Sequence, residues 1–290
     1  MRFIAFEGAT GRRLGVRRGQ DIVDLQTLDP SWPTDLAKML AGGADALSAL
    51  KASLVRAPRQ SHVEPAGVRL LTPIATPSKI LCLGLNYASH VAESISQQRP
   101  SHPMLFLRAT SSLVASGDPI VRPRVSEQLD FEGELVAVIG RRTRHIAAQD
   151  ALSAVAGYSV FNDGSIRNYQ RFTTQWTLGK NFDSTGGFGP EFVTADELPA
   201  GAAGLKLETR LNGQVMQSAD TTDMLFGVAE TIALLSEVMT LEVGDLIVMG
   251  TPSGIGAARV PPLWMKPGDI CEVQIEGIGL LRNPIAAERG

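Results

Sequence analysis

Cysteine is scarce in this chain: there are two in 290 residues, Cys82 and Cys271. Both sit in apolar, strand-like runs, Ile80-Leu81-Cys82-Leu83 and Ile270-Cys271-Glu272-Val273. They read as reduced, packed thiols, so neither a disulfide framework nor a thiolate metal site is expected. The four histidines, His62, His90, His102 and His145, form no close cluster, which argues against a zinc site. No apolar run approaches the length of a bilayer span, so no membrane partner is expected. Basic excess is missing too: the net charge is −3, whereas nucleic-acid binding wants a basic face. The start, Met1-Arg2-Phe3-Ile4-Ala5-Phe6-Glu7-Gly8, meets charge at once and lacks the apolar core of a signal peptide. A cytoplasmic location is the expectation. What remains is ordinary for a globular protein, 44% hydrophobic and 20% charged. The length suits one large domain, or one domain with a small partner.

Residues 1–70 alternate weakly. Short strands are expected over 2–6, 13–16 and 21–24, then a helix over 35–54 with Leu36, Leu40, Leu47, Leu50 and Leu54 on one side. Thr72-Pro73-Ile74-Ala75-Thr76-Pro77 is a stiff connector. It divides a small N-terminal domain, 1–73, from a larger domain, 74–290. Further strands are expected over 80–85, 104–108, 155–161 and 246–249, with helices over 87–98 and 146–155. Asn212-Gly213 signals a hairpin between 205–211 and 214–217. Asp223 is placed to cap a helix whose core stripe is Leu225, Val228, Ile232, Leu235 and Met239.

The larger domain is organised around Leu129-Asp130-Phe131-Glu132-Gly133-Glu134-Leu135-Val136-Ala137-Val138-Ile139-Gly140, a β-branched run that ends at glycine. Glu132 and Glu134 stand at i and i+2, so in a strand they share the face of Val136 and Val138. Two like charges at an apolar rim repel each other and resist leaving water; a cation between them resolves both problems. A solvated strand end fits the same pair. Asp163 ends a strand in Asn162-Asp163-Gly164-Ser165, a ligand position and also an ordinary turn. Glu132, Glu134 and Asp163 are all hard oxygen donors, which suits Mg²⁺, Mn²⁺ or Ca²⁺. Their excess negative charge means that an anionic substrate would need Lys180, Arg167 or Arg108 nearby.

Lys180 is flanked by apolar residues and is either partly desolvated or reaches for solvent. His90 and Glu93 fall at i and i+3 on the expected helix. A carboxylate beside an imidazole makes a base, and an exposed ion pair has the same spacing. Arg167 and Gln170 repeat that spacing. The loop Gly250-Thr251-Pro252-Ser253-Gly254-Ile255-Gly256 can present N–H groups and a hydroxyl to an anion, or only turn the chain.

Five motifs occur in order: Asn86-Tyr87-x-x-His90-x-x-Glu93, Asp130-Phe131-Glu132-Gly133-Glu134-Leu135, Asn162-Asp163-x-Ser165-x-Arg167-x-x-Gln170, Gly179-Lys180, and Gly250-Thr251-Pro252-x-Gly254. Each is weak alone, but the ordered set over about residues 74–287 resembles the fumarylacetoacetate hydrolase family, in an acylpyruvase-like bacterial form. The resemblance implies an α+β, mainly β fold: a mixed β-roll behind a small α+β N-terminal domain, paired into a homodimer. It implies Mg²⁺ or Mn²⁺ on Glu132, Glu134 and Asp163, with Ca²⁺ as a stand-in in crystals. It implies that His90 and Glu93 form a dyad on a lid, and that Lys180 and Thr251 contact substrate. Arg108, Arg167 and Gln170 complete the expected substrate contacts. The sequence departs from the family pattern at Gly164, where a β-branched residue is usual, and in the loop Ser184-Thr185-Gly186-Gly187-Phe188.

The expected substrate is a small 2-oxo acid, which chelates a divalent cation through its carboxylate and ketone. The metal then stabilises an enolate. With water activated by His90, a 2,4-dioxo acid would be hydrolysed to pyruvate and a carboxylic acid. Acylpyruvate hydrolysis, in the breakdown of aromatic ring-cleavage products, is therefore the first expectation. Decarboxylation of an oxaloacetate-type acid and hydroxymuconate isomerisation use the same enolate. A non-catalytic small-molecule binding protein is the alternative from another class; the intact dyad and three carboxylates argue against it.

Overall fold

Gly133–Ile139 is buried along its whole length and alternates between two apolar compartments. Leu135, Ala137 and Ile139 enter one core, while Val136 and Val138 enter another. A strand of this kind must lie in a sheet covered on both faces. The computed structural model, which describes residues 1–93 and 100–289, contains that sheet.

Among the described residues the sheet has twelve strands. Its main path runs His62–Val63, Asp21–Asp24, Gly11–Arg18, Arg2–Gly8, Gly186–Thr194, Val155–Asp163, Gly133–Ile139, Leu246–Val248, Ile80–Gly84, Met104–Leu107. The N-terminal strands enter it where Arg2 and Phe3 pair with Val193 and Phe192. Most neighbours are antiparallel, but Leu246–Val248 and Ile80–Gly84 run parallel, so the sheet is mixed. A second sheet orders Gln214–Asp220, Lys206–Leu211, Ile270–Ile275, Gly279–Ala287 and Ile120–Arg122. Its Leu207, Val273, Ile275 and Leu281 share a core with the first sheet's Leu135 and Val160 and with Val228, Ile232 and Leu235 of helix Val228–Val238. The other face of the first sheet packs on Leu36, Met39, Leu40 and Leu50 from helices Leu36–Ala41 and Gly43–Val55. Truncating one of these buried leucines to alanine would cost about 2–5 kcal/mol. The architecture is α+β, mainly β, as the sequence implies. No helix among the described residues is long and apolar enough to cross a membrane.

Several local expectations need correction. The single helix over 35–54 is two helices, because Gly43 takes a positive φ of 63° and breaks it. Residues 146–155 form turns and the short 3₁₀ segment Ala151–Ala154 instead of an α-helix. Tertiary bonds override alanine propensity there: the Ile146 N–H donates to Ser236 Oγ at 3.0 Å, and the Gly140 N–H donates to Ala154 O at 2.7 Å. Asp223 does not cap the long helix; it completes a capping box on the 3₁₀ turn Thr221–Asp223, and Gly227 is the helix N-cap. The helix after Tyr87 is observed as Ala88–Glu93, and the remainder of the expected span, 94–98, lies outside the described residues. The hairpin is as expected, with positive φ at both Asn212 and Gly213. Cys82 and Cys271 are free and buried, and burial pushes the Cys271 thiol up to about 12.

Candidate active site

Two chain segments are stitched together where the central strands end. Leu129–Asp130 pairs antiparallel with Ser165–Ile166, and Gly133 pairs with Asn162. Between these ladders the Asp163 N–H donates to Glu132 O at 2.8 Å, and the Glu132 N–H donates to Asn162 Oδ1 at 3.0 Å. The stitching brings Glu132, Glu134 and Asp163 together: one carboxylate oxygen from each lies within 4.8 Å of the others, and all three residues are buried.

Three cations surround this cluster. Lys180 Nζ lies 2.5 Å from Glu132 Oε2 and also donates to Asp163 Oδ2. Arg167 reaches Glu132 Oε1 at 2.6 Å, Asp130 Oδ2 at 2.8 Å and Gln170 Oε1 at 2.9 Å. Arg108 holds Asp163 Oδ1 at 2.5 Å from behind, and its other contacts are Ser112, Gly164 O and Thr185. Burial works against charge on Glu132, but Arg167 and then Lys180 outweigh it and hold that carboxyl well below the usual range. Burial likewise opposes charge on Lys180, and Asp163 and Glu132 outweigh it, so the ammonium stays charged.

Glu134 differs. Among the described residues it has no ion pair, and its Oε2 accepts the Gly250 N–H at 2.6 Å. Burial, then Asp163 and Glu132, push its carboxyl well above the usual range. An enclosed set of three oxygen donors, one without a counter-cation, fits a hard divalent ion. With Asp130, four carboxylates face three cations; a divalent ion would turn one net negative charge into one net positive charge, which suits an anionic substrate.

A cavity of about 540 Å³ opens over the cluster. Glu132, Glu134, Lys180, Arg167, Gln170 and Thr251 line it, and so do His90 and Glu93. Leu83, Met104, Phe106 and Trp176 make its apolar wall. Glu93 holds His90 Nδ1 at 2.7 Å and accepts the Gly254 N–H on its other oxygen at 2.9 Å. With Nδ1 engaged, Nε2 is the nitrogen left for chemistry. The loop after Leu246–Val248 thus gives its amides to carboxylates of the protein itself, Glu134 and Glu93.

Of the expected site residues, Arg108 alone among the cations is absent from the cavity lining; it supports Asp163 instead. Thr251 lines the cavity, but its hydroxyl donates to Gly133 O at 3.0 Å and accepts from Gln217 Nε2 at 2.8 Å. The two departures from the family pattern are neighbours: a Cβ on Gly164 would stand 2.1 Å from Thr185 O. The glycine accommodates that loop, and neither segment lines the cavity. Gly84 also allows a close approach, since a Cβ there would meet the Trp176 ring at 2.1 Å. Sequence reasoning assigned no role to Asp130 or Gln217. Asp130 stood inside a quoted motif; nothing near Gln217 marked it.

Known proteins resemble this chain over nearly its whole length. Residues 79–286 match the family described as fumarylacetoacetate (FAA) hydrolase C-terminal. The chain is 39% identical over 272 residues to a Rattus norvegicus protein named oxaloacetate tautomerase Fahd2a, mitochondrial, covering 92% of this chain and 84% of that one. It superposes on the fumarylacetoacetate hydrolase from Exiguobacterium antarcticum with a TM-score of 0.85 at 34% identity, covering 99% of this chain and 100% of that one. The maleylpyruvate hydrolase from Sphingobium sp. SYK-6, solved with manganese(II) and pyruvate, gives 0.82 at 29% identity, covering 100% of each chain. The chain belongs to the fumarylacetoacetate hydrolase family of enzymes.

Proposed function

We propose that this enzyme moves protons on the enol of a 2-oxo acid, and that keto–enol tautomerisation of an oxaloacetate-type 2-oxo dicarboxylate is its reaction. The observation that carries this reading is one cavity lined by the His90–Glu93 dyad, by Lys180 and by two members of the carboxylate cluster, Glu132 and Glu134. The name of the Rattus norvegicus relative, which matches nearly the whole chain, supports the choice of substrate.

A divalent cation held by Glu132, Glu134 and Asp163 would polarise the ketone and stabilise the charge of an enolate. The chain supplies the rest. His90, its ring fixed by Glu93, takes the C3 proton of the keto form while the enolate oxygen gains a proton from solvent; in reverse the enol O–H gives its proton to solvent and His90 delivers one to C3. Glu93 is itself held by Gly254, so the base does not drift. Lys180, which sits over the Phe106 ring 4.9 Å from its centroid, places a charged ammonium beside the developing oxyanion. Arg167 and Gln170 receive the carboxylate. Arg108 orients Asp163 from outside the cavity.

A second reading is hydrolysis of acylpyruvates, with the same base activating water against C4. The apolar wall of a 540 Å³ cavity favours it, since oxaloacetate has no apolar tail to fill that space. So does the maleylpyruvate hydrolase that binds manganese and pyruvate. One panel decides: decay of enol-oxaloacetate absorbance, acylpyruvate cleavage and oxaloacetate decarboxylation, each with Mg²⁺. Catalysed enol decay with no cleavage supports the first reading; cleavage at comparable kcat/KM would overturn it in favour of the second.

A further inference from the structure

Asp130 is 0% exposed and lies outside the cavity, two residues before Glu132. Its two oxygens accept four N–H groups. Oδ1 takes Phe131 N–H and Gly256 N–H, each at 2.8 Å. Oδ2 takes Ala257 N–H at 2.9 Å and Arg167 Nε at 2.8 Å. Every partner is a donor, so an ionised carboxylate satisfies the site and an amide cannot. Gly256 is fitted to it: a Cβ there would fall 1.9 Å from Leu263 O and 2.6 Å from Asp130 Oδ1. Arg167 is 5% exposed and divides its guanidinium between Asp130 and Glu132.

That division has an electrostatic consequence. A buried guanidinium on Glu132 alone would compete with any cation that uses Glu132 and would repel it. Balanced by Asp130, the same guanidinium presents less net positive charge to the cluster. We propose that Asp130 is a positioning residue for the metal centre: by holding and neutralising Arg167, it sets the affinity of Glu132, Glu134 and Asp163 for a divalent cation. The inference rests on the metal-site reading above. It assigns Asp130 an effect through Arg167, separate from its anchoring of the Gly256–Ala258 segment.

The test is direct Mn²⁺ binding, read from the free-ion electron paramagnetic resonance signal with no substrate present. Wild type, Asp130→Asn, Arg167→Gln and the double variant are compared at one pH and ionic strength, with folding checked by circular dichroism. Asp130→Asn should bind Mn²⁺ on the order of ten-fold more weakly, the range seen when an outer partner of a metal site is lost. Arg167→Gln should bind more tightly than wild type, because a competing charge is gone. The double variant should return to about the wild-type affinity, because the pair is removed as a unit. A merely structural Asp130 gives a different pattern, in which both single variants weaken binding and the double is weaker still; that result would overturn the inference. If Asp130→Asn does not fold, Arg167→Gln and Arg167→Lys decide. Tighter binding for the glutamine alone supports the inference, and equal affinities overturn it. Wild type that binds no Mn²⁺ would overturn the metal-site reading and this inference together, whereas wild type that binds while Arg167→Gln is no tighter overturns this inference alone.

Discussion

Replacing Lys180 by methionine removes an ammonium and keeps most of the stem. In the wild type that ammonium is 2% exposed and contacts Glu132 and Asp163. Removing one partner of a buried ion pair costs about 3–5 kcal/mol, because the other charge stays buried and uncompensated. For a chain of this size roughly 2 °C of melting temperature goes with each kcal/mol. With EDTA at neutral pH, Lys180→Met should therefore melt about 6–10 °C below wild type. Mn²⁺ should recover much of that deficit, since a divalent cation replaces the lost positive charge. At 100-fold excess over its Kd it returns about 2.7 kcal/mol. The variant should also bind Mn²⁺ more tightly than wild type, because the ammonium no longer competes for Glu132 and Asp163. Thermal unfolding followed by circular dichroism, with EDTA and with Mn²⁺, reads both effects. An unchanged melting temperature in EDTA, or a deficit that Mn²⁺ leaves in place, would refute the reasoning.

Other outcomes follow from the same geometry. His90→Ala should lower kcat by roughly 10²–10⁴-fold with Mn²⁺ affinity unchanged, and Glu93→Gln should lose less; wild-type turnover in His90→Ala removes the dyad from the account. Gly254→Ala should lower kcat and stability together, the latter by about 1–3 kcal/mol, because φ is +101° and the Cβ would meet Met216 O at 2.3 Å, displacing the amide that holds Glu93. The raised Glu134 carboxyl implies proton competition with the metal, so Mn²⁺ affinity should rise with pH and level off once Glu134 ionises. The metal-free protein should lose stability as pH rises from the ordinary carboxylate range through that raised value, because the folded state binds the extra proton; flat titrations would contradict both. The homodimer carried by the family resemblance predicts twice the chain mass in light scattering, and a clean monomer at micromolar concentration would remove it.

The sequence made the candidate site's carboxylates and dyad legible because their spacing is local. Glu132 and Glu134 share a strand face by period alone, and His90 and Glu93 meet by helical spacing, so neither pair needed tertiary information. Asp163 could be named as a donor, but its approach to Glu132 depends on two short ladders that no periodicity announces. The sequence points to Arg108 as a substrate contact because an anionic substrate needs cations beside three carboxylates. The position of Arg108 behind Asp163, where it also bonds Gly164 O and Thr185 Oγ1, is set by tertiary packing that no local pattern announces. Asp130 carried the same handicap: three of its four donors, Arg167, Gly256 and Ala257, lie far from it in the chain. Alanine-rich 146–155 looked helical on propensity and lost to tertiary hydrogen bonds. The substrate stays less legible than the enolate chemistry, because the apolar wall that selects it comes from Leu83, Met104, Phe106 and Trp176, residues that pattern analysis assigns to packing.

The most direct test is proton exchange at C3 of a 2-oxo acid, since every reading of this site passes through the enol. Pyruvate and oxaloacetate are incubated with the enzyme and Mg²⁺ in D₂O, and deuterium at C3 is followed by nuclear magnetic resonance against enzyme-free controls. The account predicts exchange well above the control rate, abolished by EDTA and by His90→Ala. Exchange at the control rate with Mg²⁺ and with Mn²⁺, or full exchange by His90→Ala, would contradict it.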